Sequence, residues 1–535
     1  MLDYLITNGK IVDGSGKAPF YGEIGVEGDT ITLVSENRPE GGPASDKPPS
    51  KTVIDAAGLT VTPGFIDIHC HSDAIIFHKK KNPKRLLQGF TTEVTGNCGI
   101  SPAPVVPERL DLLKRYCAPT YANIPLPYDW KTLGDYLDAV EACEPVLNTA
   151  TLAGHGSLRI AVAGFDDRQL TSDEFRTMGK LLEESLEQGA FGMSTGLFYT
   201  PGFFADEEEI ITLAGILASH DAIYTTHMRS ESEGLIPSIQ ETLRVTSATG
   251  VNTEISHLKA SGRAHFGKVR EALRLIGEAR QSGLRVNYDV YPYVAANTMF
   301  ASILPPWILE GGTEKMLSRL ESSRIREETI RDLRNEGRHF ENLYSLSGWD
   351  KILINECSVD AYVGKTIEQI AAENRQDPFE AALEVIRESG GNAMMIITLM
   401  SEQDVAEVLC GEYGIACTDG FPAEGKCHPR YTSSFIRILE KYVRQEHLLS
   451  LQEAVHKMSG MPAEKVGIRD RGLLKEGYKA DILAFDMEHL TDNADYDRCD
   501  ELATGMKYVM INGKLAMDNG VDRKICAGRV LRKNG

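Results

Sequence analysis

No run of about 18 consecutive apolar residues occurs in the sequence, the length a membrane-spanning helix needs, so no span is expected. The opening Met1-Leu2-Asp3-Tyr4-Leu5-Ile6 has no charged stretch ahead of an apolar one, and no secretory leader is expected either. Basic residues are in deficit: 57 Lys and Arg stand against 77 Asp and Glu, a formal net charge of −20. That balance argues against nucleic acid and anionic membrane as partners, because polyanion binding depends on neutralising phosphates with Lys and Arg. A small anionic substrate stays open, since a basic pocket can sit inside an acidic shell. The ten cysteines show no CxxC pair and no even spacing, which in a long chain reads as reduced thiols of a cytoplasmic protein rather than a disulfide framework. Internal repeats and coiled-coil heptads are missing too, which excludes repeat architectures.

What is present is ordinary globular composition, 42% hydrophobic and 25% charged, in 535 residues. That length suits one large catalytic domain with a smaller accessory one. Short alternating runs at 4–7, 11–12, 23–26, 30–34 and 52–54 read as strands, with a Gly/Pro/Ser-rich loop over 39–49. Similar runs return at 480–485, 506–511 and 514–517, the last two flanking Asn512-Gly513. Neither end has enough core alone, so residues 1–61 and 467–535 are expected to pair into one small β-sandwich domain. Between them, residues 62–466 alternate apolar strand-like runs (64–71, 91–98, 149–155, 191–196, 223–228, 252–258, 285–291 and 414–419) with helical patterns such as 172–186, 266–281 and 403–409. Eight such units predict a parallel (β/α)8 TIM-like barrel. The seventh and eighth runs are too far apart for one unit. The excess, about 296–395, is expected to be an insertion at the barrel mouth that acts as a lid or pocket wall, with helical sequence at 314–334 and 367–387.

The strongest chemical signal is Pro63-Gly64-Phe65-Ile66-Asp67-Ile68-His69-Cys70-His71. Residues two apart on a strand face the same side, so His69 and His71 can grip one ion while Cys70 points into packing. His227 ends the fifth strand and His257 the sixth. A lone strand-terminal histidine is usually a satisfied core residue, but four on one barrel rim would be costly without an ion among them. Asp419 ends the eighth strand in Ala416-Cys417-Thr418-Asp419-Gly420, where the bland reading is a turn or cap.

Histidines and an aspartate on strands one, five, six and eight, with Gly472-Leu473-Leu474-Lys475-Glu476-Gly477 as a return strand, resemble the amidohydrolase superfamily. Many binuclear members bridge their metals with a strand-four lysine. Here Phe191-Gly192-Met193-Ser194-Thr195-Gly196 has none, and the second strand ends in Thr95-Gly96-Asn97-Cys98-Gly99. That is similar to the N-acyl-D-amino-acid deacylase (D-aminoacylase) family, in which such a cysteine ligates the metal. The resemblance implies a tight zinc site made by Cys98, His227 and His257, and a weaker second one made by His69, His71 and Asp419. It implies Asp419 as general base and acid, and Lys259, Tyr291 and Arg430 as the groups that hold the substrate carboxylate. Phe198 falls at an apolar pocket position. The expected reaction is hydrolysis of N-acyl-D-amino acids to a carboxylate and a free D-amino acid. Opening of cyclic amides such as hydantoins, a dipeptidase activity and a non-enzymatic scaffold are the alternatives. His155 and His428 are left without a role, and His78, His220, His265, His339, His447, His456 and His489 read as ordinary surface or core residues.

Overall fold

The computed structural model describes residues 1–36, 48–78, 83–338, 340–422 and 426–533; the expected 39–49 loop lies almost wholly outside them, as does His339. The fold is α/β. Its frame is a series of parallel strands: Phe65–Asp67, Phe90–Thr95, Asn148–Thr151 with Ala153–Gly154, Gly192–Gly196, Ile223–His227, Asn252–Ile255, Val286–Val290 and Gly414–Ala416. We number them one to eight. Each pairs in parallel with the next. A parallel bridge from Cys70 to Gly420 then joins the chain just past strands one and eight, with the Asp419 N–H donating to the His69 carbonyl at 2.8 Å.

These strands are buried at almost every position, which is why they read as unbroken apolar and threonine-rich runs rather than alternating ones. Their threonines satisfy one another, as in Thr95 with Thr151 (3.1 Å) and Thr195 with Thr226 (2.8 Å). Strands one, two, six and eight stop short of the expected ends. The residues left over are those that turn His69, His71, Cys98, His257 and Asp419 off the ladder. The run expected to end at His155 gives way there to a helix, His155–Ala163.

The expected helices appear as Ser172–Glu187, Val269–Gln281 and Glu402–Cys410. Thr171 and Glu174 cap the first reciprocally, the S/T-x-x-E pattern written into the sequence. Between strands seven and eight lies more than helices. Ala295–Met299, Met394–Thr398, Ile352–Glu356 and Lys365–Thr366 form an antiparallel sheet. The helix expected over 314–334 is two, Thr313–Leu320 and Ser323–Leu333, because Ser322 is extended between them. That over 367–387 is also two, Ile367–Asn374 and Pro378–Glu388; a proline forces its predecessor, Asp377, out of helical backbone.

Strands from both ends of the chain form one continuous nine-stranded sheet, joined where Thr60–Pro63 runs antiparallel to Ile482–Phe485. The ten-residue strand Leu2–Ile11 is bulged between Ile6 and Gly9. It takes Ser50–Asp55 as partner along its first half and Thr60–Val61 at its end. The expectation of ten reduced thiols is corrected at one pair. Cys427, after strand eight, is disulfide-bonded to Cys499, 72 residues on. Partners so far apart leave no spacing signal to read. Among the described residues, no helix is long and apolar enough to cross a membrane.

Arg85 is fully buried between the carboxylates of Asp67 on strand one and Glu93 on strand two. Removing one member of a buried charge cluster strands the others in low dielectric. Arg85→Ala should therefore destabilise the fold by about 3–5 kcal/mol, seen as a lowered thermal midpoint; an unchanged midpoint would show that the cluster contributes nothing.

Candidate metal centre

Strand one ends at Asp67, and past it the chain bends so that His69 and His71 both turn toward Asp419, whereas Asp67 groups with Cys70 and Glu93. Asp67 anchors the start by accepting the Thr418 N–H at 2.9 Å, which ties strand one to strand eight. After strand two the chain makes a tight loop: Gly96, Cys98 and Gly99 have φ of +78°, +53° and +77°. A Cβ on Gly96 would come within 2.1 Å of the Leu152 carbonyl oxygen, so only glycine fits. The loop is held by Asn97, whose amide donates to the Val94 carbonyl at 2.9 Å, and by the Gly99 N–H donating to Ser194 Oγ at 2.9 Å. Gly192-Met193-Ser194-Thr195-Gly196 happens to spell the G-x-S-x-G pattern of serine hydrolases. Its hydroxyl is buried and bonded between Gly96 and Gly99, so it supports the cysteine loop.

Cys98 Sγ lies 3.3 Å from His69 Nε2, 3.6 Å from His257 Nε2 and 3.9 Å from His227 Nδ1. Asp419 Oδ1 lies 3.4 Å from His69 Nε2 and 3.3 Å from His71 Nε2. Donor atoms of His69, His71, Cys98 and Asp419 all fall within 4.8 Å of one another, as do those of Cys98, His227 and His257. The two sets share Cys98. All six residues expected as ligands are thus brought together, from strands far apart in sequence.

Three of the six sit in left-handed backbone: Cys98 at φ +53°, His257 at +36° and Asp419 at +46°. Such a conformation costs a non-glycine residue on the order of 1–3 kcal/mol and persists where the surroundings enforce it, most often at functional sites. The charges match at several of these donors, while at His69 burial is outweighed by Asp289, Cys98 and Asp419, which hold the imidazole well above its ordinary range. Burial holds His227 and His257 well below the ordinary imidazole range and lowers His71, leaving lone pairs rather than protons. Burial opposes ionisation of Asp419, but Arg430 and His69 outweigh it and hold the carboxyl well below its usual range. Burial raises the Cys98 thiol, so a thiolate there requires a cation beside it. Neither ring nitrogen of His71 has a hydrogen-bond partner, although Nε2 lies so close to Asp419. An unbonded imidazole this close to a carboxylate and a thiol fits a shared ion, and the mixture of sulfur, nitrogen and oxygen suits a divalent transition metal.

Two carboxylates orient the donors and were not foreseen. Asp289 Oδ2 lies 3.3 Å from His69 Nδ1, and its Oδ1 accepts the His257 N–H at 2.7 Å. Glu231 Oε1 lies 2.9 Å from His257 Nδ1. Each turns the far nitrogen of its imidazole toward the sulfur. A charged residue inside the buried strand Val286–Val290, and the polar run Arg229-Ser230-Glu231-Ser232-Glu233 just past strand five, were the available signals.

Of the expected substrate groups, Phe198 stacks on His227 (5.7 Å between centroids, 18° between planes), and Phe198, Lys259 and Tyr291 line a small cavity of about 50 Å³ with Cys98, His227, His257 and Asp419. Lys259 is already engaged: its ammonium donates to both Glu231 oxygens, at 2.7 and 2.8 Å, and lies 2.8 Å from His257 Nδ1. Arg430 is fully buried behind the cavity wall, 2.8 Å from Asp419 Oδ2 and 4.7 Å from the Tyr291 ring, and donates to the Asn297 carbonyl at 3.0 Å. His428 accepts the Arg430 N–H at 3.0 Å, and so positions that residue. His155 instead pairs with Glu209 at 2.8 Å, outside both donor sets.

A profile of the amidohydrolase family matches residues 52–235 and 414–517, and the chain belongs to that family. Within it, the chain is 33% identical to the D-aminoacylase of Alcaligenes xylosoxydans xylosoxydans over 99% of its own length and 98% of that protein's. It superposes on a crystal structure of D-aminoacylase with a TM-score of 0.81 at 32% identity, covering 99% of this chain and 100% of that one. Another solved structure is the N-acyl-D-glutamate deacylase of Bordetella bronchiseptica, complexed with zinc and a phosphonate inhibitor that mimics the reaction's tetrahedral intermediate (TM-score 0.82, 30% identity, 99% of each chain).

Cys98→Ala removes the one donor common to both sets. Purified variant protein is expected to carry well under one metal ion per chain by elemental analysis, while Asp289→Asn should weaken metal affinity roughly 10- to 100-fold without abolishing it. Full metal content in Cys98→Ala would rule out sulfur ligation.

Proposed function

We propose that this protein is a zinc-dependent deacylase of N-acyl-D-amino acids, releasing a carboxylate and a free D-amino acid. The observation that carries the reading is Cys98, set in its two-glycine loop where both donor groups meet. The likeness to D-aminoacylase over nearly the whole chain supports the substrate class and its D hand. In this reading the cyclic order of parallel strands is a (β/α)8 barrel over residues 62–466. Residues 296–395 wall its mouth, and 1–61 and 467–535 build the accessory domain.

Cys98, His227 and His257 would hold the tighter zinc ion, and His69, His71 and Asp419 a weaker second one. Bound there, zinc supplies a Lewis acid for the amide carbonyl and lowers the pKa of water toward neutrality. The Asp419 carboxylate, kept ionised by Arg430, takes a proton from the attacking water as its oxygen bonds to the acyl carbon. The same carboxyl then delivers that proton to the amine nitrogen as the C–N bond breaks. Lys259 and Tyr291, which line the cavity, would hold the substrate's α-carboxylate, joined by Arg430 where its guanidinium turns from Asp419 into the cavity, a task suited to an ammonium and a guanidinium in a nearly dry space. Phe198 offers an apolar face beside His227. Cyclic-amide opening is disfavoured because strand four, Gly192–Gly196, carries no lysine.

Paired D and L N-acetyl amino acids with acidic, basic and apolar side chains, offered to zinc-loaded enzyme beside a hydantoin, test the assignment. D substrates should be cleaved and the hydantoin left intact; cleavage of the hydantoin alone would replace the assignment. Asp419→Asn is expected to keep tight-site zinc yet lose about 10²- to 10⁴-fold in kcat. Near-normal turnover would remove Asp419 as the base.

A further inference from the structure

Beside the donor cavity opens a second, far larger space, a groove of about 1040 Å³. The two share Phe198, Tyr199, Met299 and Glu341 as common wall. Beyond that wall the groove is mainly apolar, lined by Phe165, Leu304, Leu309, Met316, Phe340 and Leu346. Much of this lining comes from the insertion between strands seven and eight. The carboxylate-holding groups stand elsewhere: Lys259 beside His257, and Arg430 behind Asp419. The groove instead leads away past Phe198, which stacks on His227.

Size decides what such a groove can take. Pockets for drug-sized ligands span roughly 300–1,000 Å³, and this one is at the top of that range. The amino-acid half of an N-acyl amino acid is bounded, since even an indole side chain fills a small part of such a volume. An acetyl group fills less. The acyl half alone can grow without limit. Charge narrows the choice further, because the two arginines that line the groove are both committed: Arg115 to Glu314 at 2.6 Å and Arg229 to Glu241 at 2.9 Å. Neither is placed to reward a second carboxylate at the far end of the acyl group.

We propose that this groove is an acyl-chain subsite, and that the preferred substrates are N-acyl-D-amino acids bearing long saturated acyl groups. The inference rests on the deacylase reading above and specifies the half of the substrate which that reading leaves open. Each methylene drawn between apolar walls is worth up to about fourfold in kcat/KM, less where the groove is open to water.

The test uses zinc-loaded full-length enzyme and the N-acetyl, N-butanoyl, N-octanoyl and N-decanoyl derivatives of one D-amino acid, all below their micelle-forming concentrations. kcat/KM is expected to rise at least about tenfold from acetyl to decanoyl. Leu309→Lys and Ala301→Trp alter half-buried groove residues that do not line the donor cavity. Each should cancel most of that rise while leaving acetyl turnover within about twofold of wild type, the size of effect usual for a substitution that spares the reacting groups. A flat or falling series in wild type overturns the acyl subsite and leaves the deacylase reading standing. Absence of turnover for every D substrate at every length overturns the deacylase reading itself. Should a variant not fold, the wild-type series decides alone, together with competition by free decanoate against acetyl turnover, which the subsite requires.

Discussion

The Cys98 sulfur faces three imidazoles from three different strands, and the ionised Asp419 carboxylate approaches the same nitrogen of one of them, His69 Nε2. Left to themselves, these groups are poorly matched: burial disfavours the thiolate, His71 has no hydrogen-bond partner, and Asp419 is a negative charge in a dry place. A shared cation turns each mismatch into an attraction. The rest of the structure can be understood as the scaffolding such an arrangement demands. Left-handed backbone at Cys98, His257 and Asp419 costs free energy that no local sequence preference returns, and only a rigid surround can sustain it.

That surround is organised as charge behind charge. Asp289 and Glu231 fix the far sides of two imidazoles, Lys259 balances Glu231, and Arg430 balances Asp419. One step further out, Arg85 bridges Asp67 and Glu93 across strands one and two, while Asp67 grips Thr418 on strand eight. These buried carboxylates thus either orient a donor or tie together the strands that carry donors. Disturbing an outer pair should therefore be felt at the centre through geometry, before it is felt through electrostatics.

The chemistry at the centre was legible because two strong periodicities point to it. Alternation places His69 and His71 on one side, and strand ends place His227, His257 and Asp419 on one rim. Family resemblance added Cys98, which spacing alone could not distinguish from a buried thiol. What stayed hidden was whatever depends on meetings across space. Glu231 belongs to a polar run that resembles any loop, and its partnership with Lys259 exists only once strands five and six lie side by side. The antiparallel sheet of the insertion pairs Ala295–Met299 with a segment about a hundred residues later, and the bond between Cys427 and Cys499 skips a comparable distance. The break at Ser322 fell inside a run whose composition stayed helical, whereas the one before Pro378 carried its own signal in the proline.

The seam between Thr60–Pro63 and Ile482–Phe485 has a consequence for biogenesis. On the ribosome, the amino-terminal strands emerge with one edge unpaired, and their partner arrives only after more than four hundred further residues have been added. Until then Thr60–Pro63, which leads directly into the strand bearing His69, is an open edge on a half-made protein, the kind of surface that recruits the wrong neighbour. Ile482–Phe485 therefore acts as a latch. A nascent chain that stalls shortly before it would have all eight parallel strands yet lack the strand that covers the edge of Thr60–Pro63, and it would depend on chaperones for as long as the stall lasted.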